Sequence, residues 1–151
     1  MTEYGFYHLT RSGLDQALPR LLEKAHQSGA RVVVRCTAPE RLDQLDRLLW
    51  TYRNDAFLPH GTKADGRGEH QPIWLTTATD RPNEATILVI VDGATADDAD
   101  QFARVLELFD GRDPDAVAAA RDRWRWAESQ GLTRVYWQQN DRGGWQRTAS
   151  S

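Results

Sequence analysis

One cysteine in 151 residues, Cys36, excludes an internal disulfide and fits a reducing compartment. No apolar run approaches the ~20 residues of a membrane span. The opening "MTEYGFYHLT" has neither a basic nor an apolar leader region, so nothing in it suggests export, and the expected location is the cytoplasm. No G-x-G-x-x-G follows an early strand. The glycines of "GTKADGRG" (61–68) lack the Lys-Ser/Thr pair of a phosphate loop. No G-x-S-x-G or other nucleophile pattern occurs. His60 and His70 lie in a loop with Asp65 and Glu69, without the rigid spacing a zinc site uses, so no metal and no cofactor are expected. These gaps argue against an enzyme; an α/β nucleotide-binding enzyme is kept as the alternative.

What is present is an ordinary apolar fraction of 40% and a charge pattern that is not ordinary. Net charge is −3, and residues 1–91 balance 11 acidic against 11 basic side chains. Residues 92–115 hold 8 acidic and 2 basic, whereas 121–147 hold 6 arginines and 3 acidic. An acidic block is thus followed by a basic one. That is unlike a globally basic nucleic-acid binder and more like a local patch for an anionic partner.

Periodicity predicts strands over 3–10, 30–36, 73–78, 85–91 and 133–139, and helices over 12–29, 38–52, 95–111 and 113–131. Pro19 is awkward inside the first helix and marks a kink or the start of its best-formed part. In the third helix Thr95 is the expected cap, and Asp97, Asp98 and Asp100 fill the first turn. With Asp92 they suit helix capping better than catalysis. Asp113, Pro114 and Gly131 bracket the fourth. The alternation implies a single three-layer α/β domain over 1–151, with helices on both faces of a mostly parallel sheet. The six-residue link 79–84 is too short for a helical crossover and leaves room for an antiparallel pair. Residues 53–72 form a long loop of the kind that carries function, and 140–151 a frayed tail. Cys36, ending an apolar run, reads as a buried structural thiol.

The segment "AARDRWRWAESQG" (119–131) concentrates the basic block. At 100° per residue Val117, Ala120, Trp124 and Ala127 form the buried stripe. Arg121 and Arg125 line one flank; Arg123 and Trp126 line the other. Arg125 has Asp122 and Glu128 at helical spacing, but Arg121 and Arg123 have no acidic neighbour within the helix. Either the arginines pair with the acidic block and cover apolar surface, or Arg121 and Arg125 clamp a carboxylate beside a pocket walled by Trp124.

Several stretches together resemble a family. They are "FYHLT" (6–10), "LDRLLWTYRNDAFLPHG" (45–61), "ILVIV" (87–91), "FDG…AARDRW" (109–124) and "YWQQ" (136–139). In this order, over nearly the whole chain, they are similar to the chi subunit of bacterial DNA polymerase III. The resemblance implies a Rossmann-like α/β domain without a nucleotide and a non-catalytic replisome adaptor. It implies binding of the acidic, phenylalanine-ended C-terminal tail of single-stranded DNA-binding protein. It also implies docking to the clamp loader through a psi subunit or another component. No membrane partner and no direct sequence-specific nucleic-acid binding are expected. The tail-binding positions fall on Arg121, Trp124 and Arg125, with Phe109 and, on less support, Leu132 as pocket residues. Asp110, where some members have an apolar residue, is a departure that adds a carboxylate next to an acidic ligand. The psi-type interface falls on Trp50 and Phe57.

Overall fold

The structure is a computed structural model describing residues 2–52, 58–142 and 144–150. Seven strands form one sheet in the order β3-β2-β4-β5-β1-β6-β7. The strands are β1 (Glu3–Leu9), β2 (Val32–Arg35), β3 (Ile73–Thr76), β4 (Ile87–Ile90), β5 (Arg104–Asp110), β6 (Thr133–Gln139) and β7 (Trp145–Ser150). The helices are α1 (Leu14–Gln27), α2 (Pro39–Thr51) and α3 (Pro114–Ser129). Strands β1 to β6 pair in parallel, and β7 runs antiparallel to β6. β2, β3 and β4 are buried along their whole length, as expected of parallel strands covered on both faces. Leu18, Leu22, Leu45 and Leu49 bring α1 and α2 onto one face. Ala120 and Ala127 bring α3 onto the other, so helices cover both sides as the alternation implied.

Three expectations are corrected. Residues 95–111 are not a helix: a short 3-10 turn at Ala99–Gln101 leads into β5. Val105 and Phe109 pack toward α3 while Leu106 and Leu108 pack toward α1, a period of two rather than 3.6. Thr95 therefore caps nothing. Residues 145–150 are a strand rather than a frayed tail, because Trp145 finds an apolar place against Tyr7. The link after β3 does not force an antiparallel neighbour. β3 and β4 lie on opposite sides of β2, both parallel to it, and residues 77–86 cross over it. Asn83 anchors that crossing from inside, its amide donating to the carbonyls of Val32 (3.1 Å) and Gln71 (2.9 Å).

α1 runs through Pro19, so the proline does not set its start. In the 53–72 segment, Gly61 exchanges backbone hydrogen bonds with Ile73 and Leu75 and covers the outer edge of β3. Cys36 is 1% exposed and burial pushes its thiol up, which fits a structural thiol rather than a nucleophile. No helix among the described residues is long and apolar enough to cross a membrane.

Candidate functional site

α3 is positioned by its ends. The Asp113 carboxylate accepts the Asp115 N–H (3.0 Å), and Pro114 opens the first turn. Gly131, at φ 71°, takes the left-handed turn that brings the chain into β6. The apolar stripe lands as its spacing predicts. Ala120 and Ala127 are buried, and Val117 and Trp124 pack half-buried on the same core.

The two flanks then differ sharply. On the side toward β4, Arg123 reaches down to Glu107 of β5, its Nε 2.7 Å from the carboxylate. It also donates to the carbonyls of Ala94 (3.0 Å) and Gly93 (3.3 Å). Glu107 accepts from the Tyr4 hydroxyl at 2.6 Å. Burial raises the Glu107 carboxyl while Arg123 opposes the shift. Arg123 thus has an acidic partner across the layer, invisible to helical spacing, and its role is structural.

On the side toward β6 lies a hollow of about 260 Å³ lined by Val117, Ala120, Arg121, Trp124, Arg125 and Tyr136. Arg125 touches Asp122 only at 3.4 Å, with both side chains more than three-quarters exposed, a pair worth little in water. Arg121 is exposed and, among the described residues, has no carboxylate within ion-pairing distance. Trp124, by contrast, is held from three sides. Phe6 and Tyr136 meet it edge-on, with centroids at 5.3 and 6.0 Å. The Arg134 guanidinium sits 4.3 Å over its ring. Arg134 is itself buried, pairing with Glu128 (2.7 Å) and donating to the Trp124 carbonyl (3.2 Å).

Tyr136 forms the floor. Its hydroxyl lies 2.7 Å from His8 Nδ1. Burial pushes the phenol up and Arg121 pulls it back. Burial also lowers His8, which favours the neutral imidazole, and its Nδ1 shares one hydrogen bond with the Tyr136 hydroxyl. Tyr136 and Arg134 were missing from the sequence-derived set. The available signal was the alternation of β6, which puts residues 134 and 136 on the face opposite Val135 and Trp137.

The other expected pocket residues sit differently. Phe109 is 7% exposed and lies behind the floor, stacked on His8 (4.9 Å) and edge-on to Tyr136 (6.1 Å). It shapes the hollow without lining it. Leu132, after the Gly131 turn, packs on the same core but does not line the hollow either. Asp110 does not face it. Its carboxylate takes the Arg112 backbone N–H (2.9 Å) and guanidinium (3.2 Å), which hold it below the usual carboxylate range.

Trp50 stands apart on α2, 54% exposed, edge-on to the His60 ring at 4.9 Å. His60 is buried, with Nε2 3.0 Å from Asp46 and Nδ1 2.6 Å from the Leu58 carbonyl. Phe57 lies outside the described residues. The helix expected to be capped by the acidic cluster does not form, and Asp98 pairs instead with the buried Arg35 and Asp92 with Arg41.

The family model described as "DNA polymerase III chi subunit, HolC" matches residues 1–134. The "Probable DNA polymerase III subunit chi" of Rickettsia prowazekii (strain Madrid E) is 35% identical over 91 residues, 60% of this chain, and the match spans only 55% of that protein. The "DNA polymerase III subunit chi" of Pseudomonas aeruginosa is 30% identical over 134 residues, 87% of this chain and 92% of that protein. The Escherichia coli (strain K12) protein of the same description is 24% identical over 115 residues, 76% of this chain and 78% of its own length.

Proposed function

The chain belongs to the DNA polymerase III chi subunit family, and from that premise we propose that it is a cytoplasmic adaptor of the replication machinery. In this reading the α3–β6 hollow takes the acidic C-terminal tail of single-stranded DNA-binding protein. A second surface around Trp50 docks to a psi subunit or another clamp-loader component. The family is an accessory part of the polymerase rather than its catalyst.

The observation that carries the tail reading is Arg121. It is a guanidinium with no carboxylate in ion-pairing distance among the described residues, at the rim of an aromatic-walled hollow, whereas Arg123 on the same helix and Arg134 behind Trp124 are paired with carboxylates. A free α-carboxylate suits that planar fork, and a terminal phenyl ring suits the hollow that Trp124 and Tyr136 line. Arg125, only loosely tied to Asp122, is available for the aspartates that precede the ring. Asp110, turned to Arg112, does not oppose such a ligand.

The nucleotide-binding alternative gains nothing from the fold. The crevice at the carboxyl ends of β1, β4 and β5, where α/β sheets usually receive phosphates, is lined by five carboxylates, Asp92, Glu107, Asp110, Asp113 and Asp115, against two arginines, Arg41 and Arg112, that are already paired with Asp92 and Asp110. Polyphosphate would be repelled there.

The test is titration of a fluorescently labelled acidic peptide ending in phenylalanine. We expect micromolar affinity, since a disordered peptide must be ordered on binding. It should fall with salt and be lost in Arg121→Ala with the melting temperature unchanged. An unaltered titration curve for Arg121→Ala removes the site. For the second surface, Trp50→Ala should lose co-purification with psi while keeping the peptide.

A further inference from the structure

The sheet face opposite α3 is not fully covered. α1 lies against β2 and β5, and beyond it a hollow of about 360 Å³ opens over β5, β1, β6 and β7. Three aromatic rings form its wall. Tyr7 stacks on Trp137 (6.1 Å, 15° between planes) and meets Trp145 edge-on at 5.0 Å. Gly5 makes this possible: a Cβ there would stand 2.9 Å from the Tyr7 ring, so only glycine lets the phenol lie back across β1. Trp137 and Trp145 are half-buried, with part of each ring reachable from solvent.

The rim is basic. Lys24 and Arg104 line the hollow, both exposed. Arg147, exposed, opposes Trp137 across β6 and β7 and shares the face of Trp145 by the strand period. Glu3, which acts on Tyr7, is the carboxylate set against them. The acidic block is elsewhere. Asp92, Asp110, Asp113 and Asp115 gather at the carboxyl ends of the strands, whereas Ile87 and Arg104 place this hollow at their amino ends. An acidic protein thus carries two cations, Lys24 and Arg104, at the rim of a hollow with two half-buried indoles backed by the buried Tyr7 ring, and Arg147 beside it on the same strand face, on the sheet face away from the proposed tail site.

We propose that this hollow, formed by Tyr7, Trp137 and Trp145 with Lys24 and Arg104 and flanked by Arg147, binds single-stranded nucleic acid without sequence preference. Bases have flat faces that stack on aromatic side chains, and the phosphates between them need dispersed cations rather than a carboxylate fork. Arg104 lies against the Tyr7 hydroxyl, so it offers a point charge more than an open bidentate pair. Occupancy here is independent of the tail reading, because it uses the other face of the sheet.

The intact chain is titrated into a fluorescein-labelled oligothymidylate of about 12 nucleotides at low salt. A saturable rise in anisotropy that weakens with added salt is expected. Trp145→Ala and Lys24→Glu should each weaken binding about tenfold, Trp145→Phe should retain most of it, and Arg121→Ala should leave it unchanged. Lys24 is exposed on α1, so its variant reports binding even if Trp145→Ala loosens β7. Three results each overturn the proposal. One is no saturable binding, and another is binding indifferent to Lys24→Glu. The third is an acidic phenylalanine-ended peptide that needs Trp145 and not Arg121, which would assign the hollow to a peptide instead.

Discussion

The Arg134 guanidinium lies 4.3 Å over the Trp124 ring and donates to the Trp124 carbonyl, so one buried cation holds both the side chain and the backbone of the residue that walls the α3–β6 hollow. The interaction joins the first residues of β6 to the middle of α3 and fixes how the indole faces Tyr136.

Replacing Arg134 by methionine keeps much of the stem volume and removes the charge. Loss of a desolvated cation–π contact and its hydrogen bonds should lower stability by about 2 kcal/mol in urea denaturation. Tail-peptide affinity should fall several-fold, although Arg134 does not line the hollow. Unchanged stability together with unchanged affinity would show that Trp124 is held by Phe6 and Tyr136 alone.

Two arginines separated by one residue should behave in opposite ways. Arg123→Ala strands Glu107, whose side chain is 4% exposed, and should cost about 3–5 kcal/mol. Arg121→Ala, on the solvent flank, should stay within about 0.5 kcal/mol of the parent. A double variant Arg123→Ala/Glu107→Ala should recover part of the first loss, since the uncompensated carboxylate is gone. Equal melting temperatures for the two single variants would contradict the structural assignment of Arg123.

Arg35 is 2% exposed and meets Asp98 in a two-pronged pair at 2.7 and 2.9 Å, with the Ala78 and Thr95 carbonyls completing its shell. The Arg35 hydrogen bonds hold the Asp98 carboxyl below its usual range. A depressed carboxylate contributes stability that is complete above its unfolded value near ~3.9 and is lost as pH falls through the folded one. Asp98→Asn should therefore be less stable than the parent at neutral pH, and the gap should close in acid. A gap that stays constant down to strongly acidic pH argues that Asp98 acts only as packing.

These pairings show where legibility ended. The first four elements, the caps at Asp113 and Gly131, and the stripe Val117–Ala120–Trp124–Ala127 are local facts of spacing, and they are readable in the sequence. The partners of Arg123 and Arg134 were not, because Glu107 lies on another strand and the Trp124 contact crosses from strand to helix. The mistaken helix over 95–111 has the same root. Leu106 and Leu108 suit a helix by propensity, and only a sheet with partners on both sides makes them a strand. Family resemblance points to Arg121, Trp124 and Arg125, which the fold places around one hollow, whereas Tyr136, its floor, follows from the β6 register.

His8 and Tyr136 provide the last expectation. Burial lowers His8 below its ordinary value, although Asp110 and Gly111 pull the other way. The imidazole Nδ1 and the Tyr136 hydroxyl share a hydrogen bond of 2.7 Å beneath the hollow. A histidine lowered on folding favours the neutral state. The resulting stability is complete above the unfolded value near ~6.5 and is lost as pH falls toward the folded one. Below that, protonation places a cation against Phe109 and Tyr136. The parent should therefore lose more unfolding free energy between neutral and mildly acidic pH than His8→Gln, which does not titrate. The Tyr136 fluorescence environment should shift over the same interval in a variant whose tryptophans are replaced by phenylalanine. Parallel pH profiles for parent and His8→Gln would mean that the imidazole is not coupled to the floor of the hollow, and that Tyr136 is positioned by Phe109 and Trp124 alone.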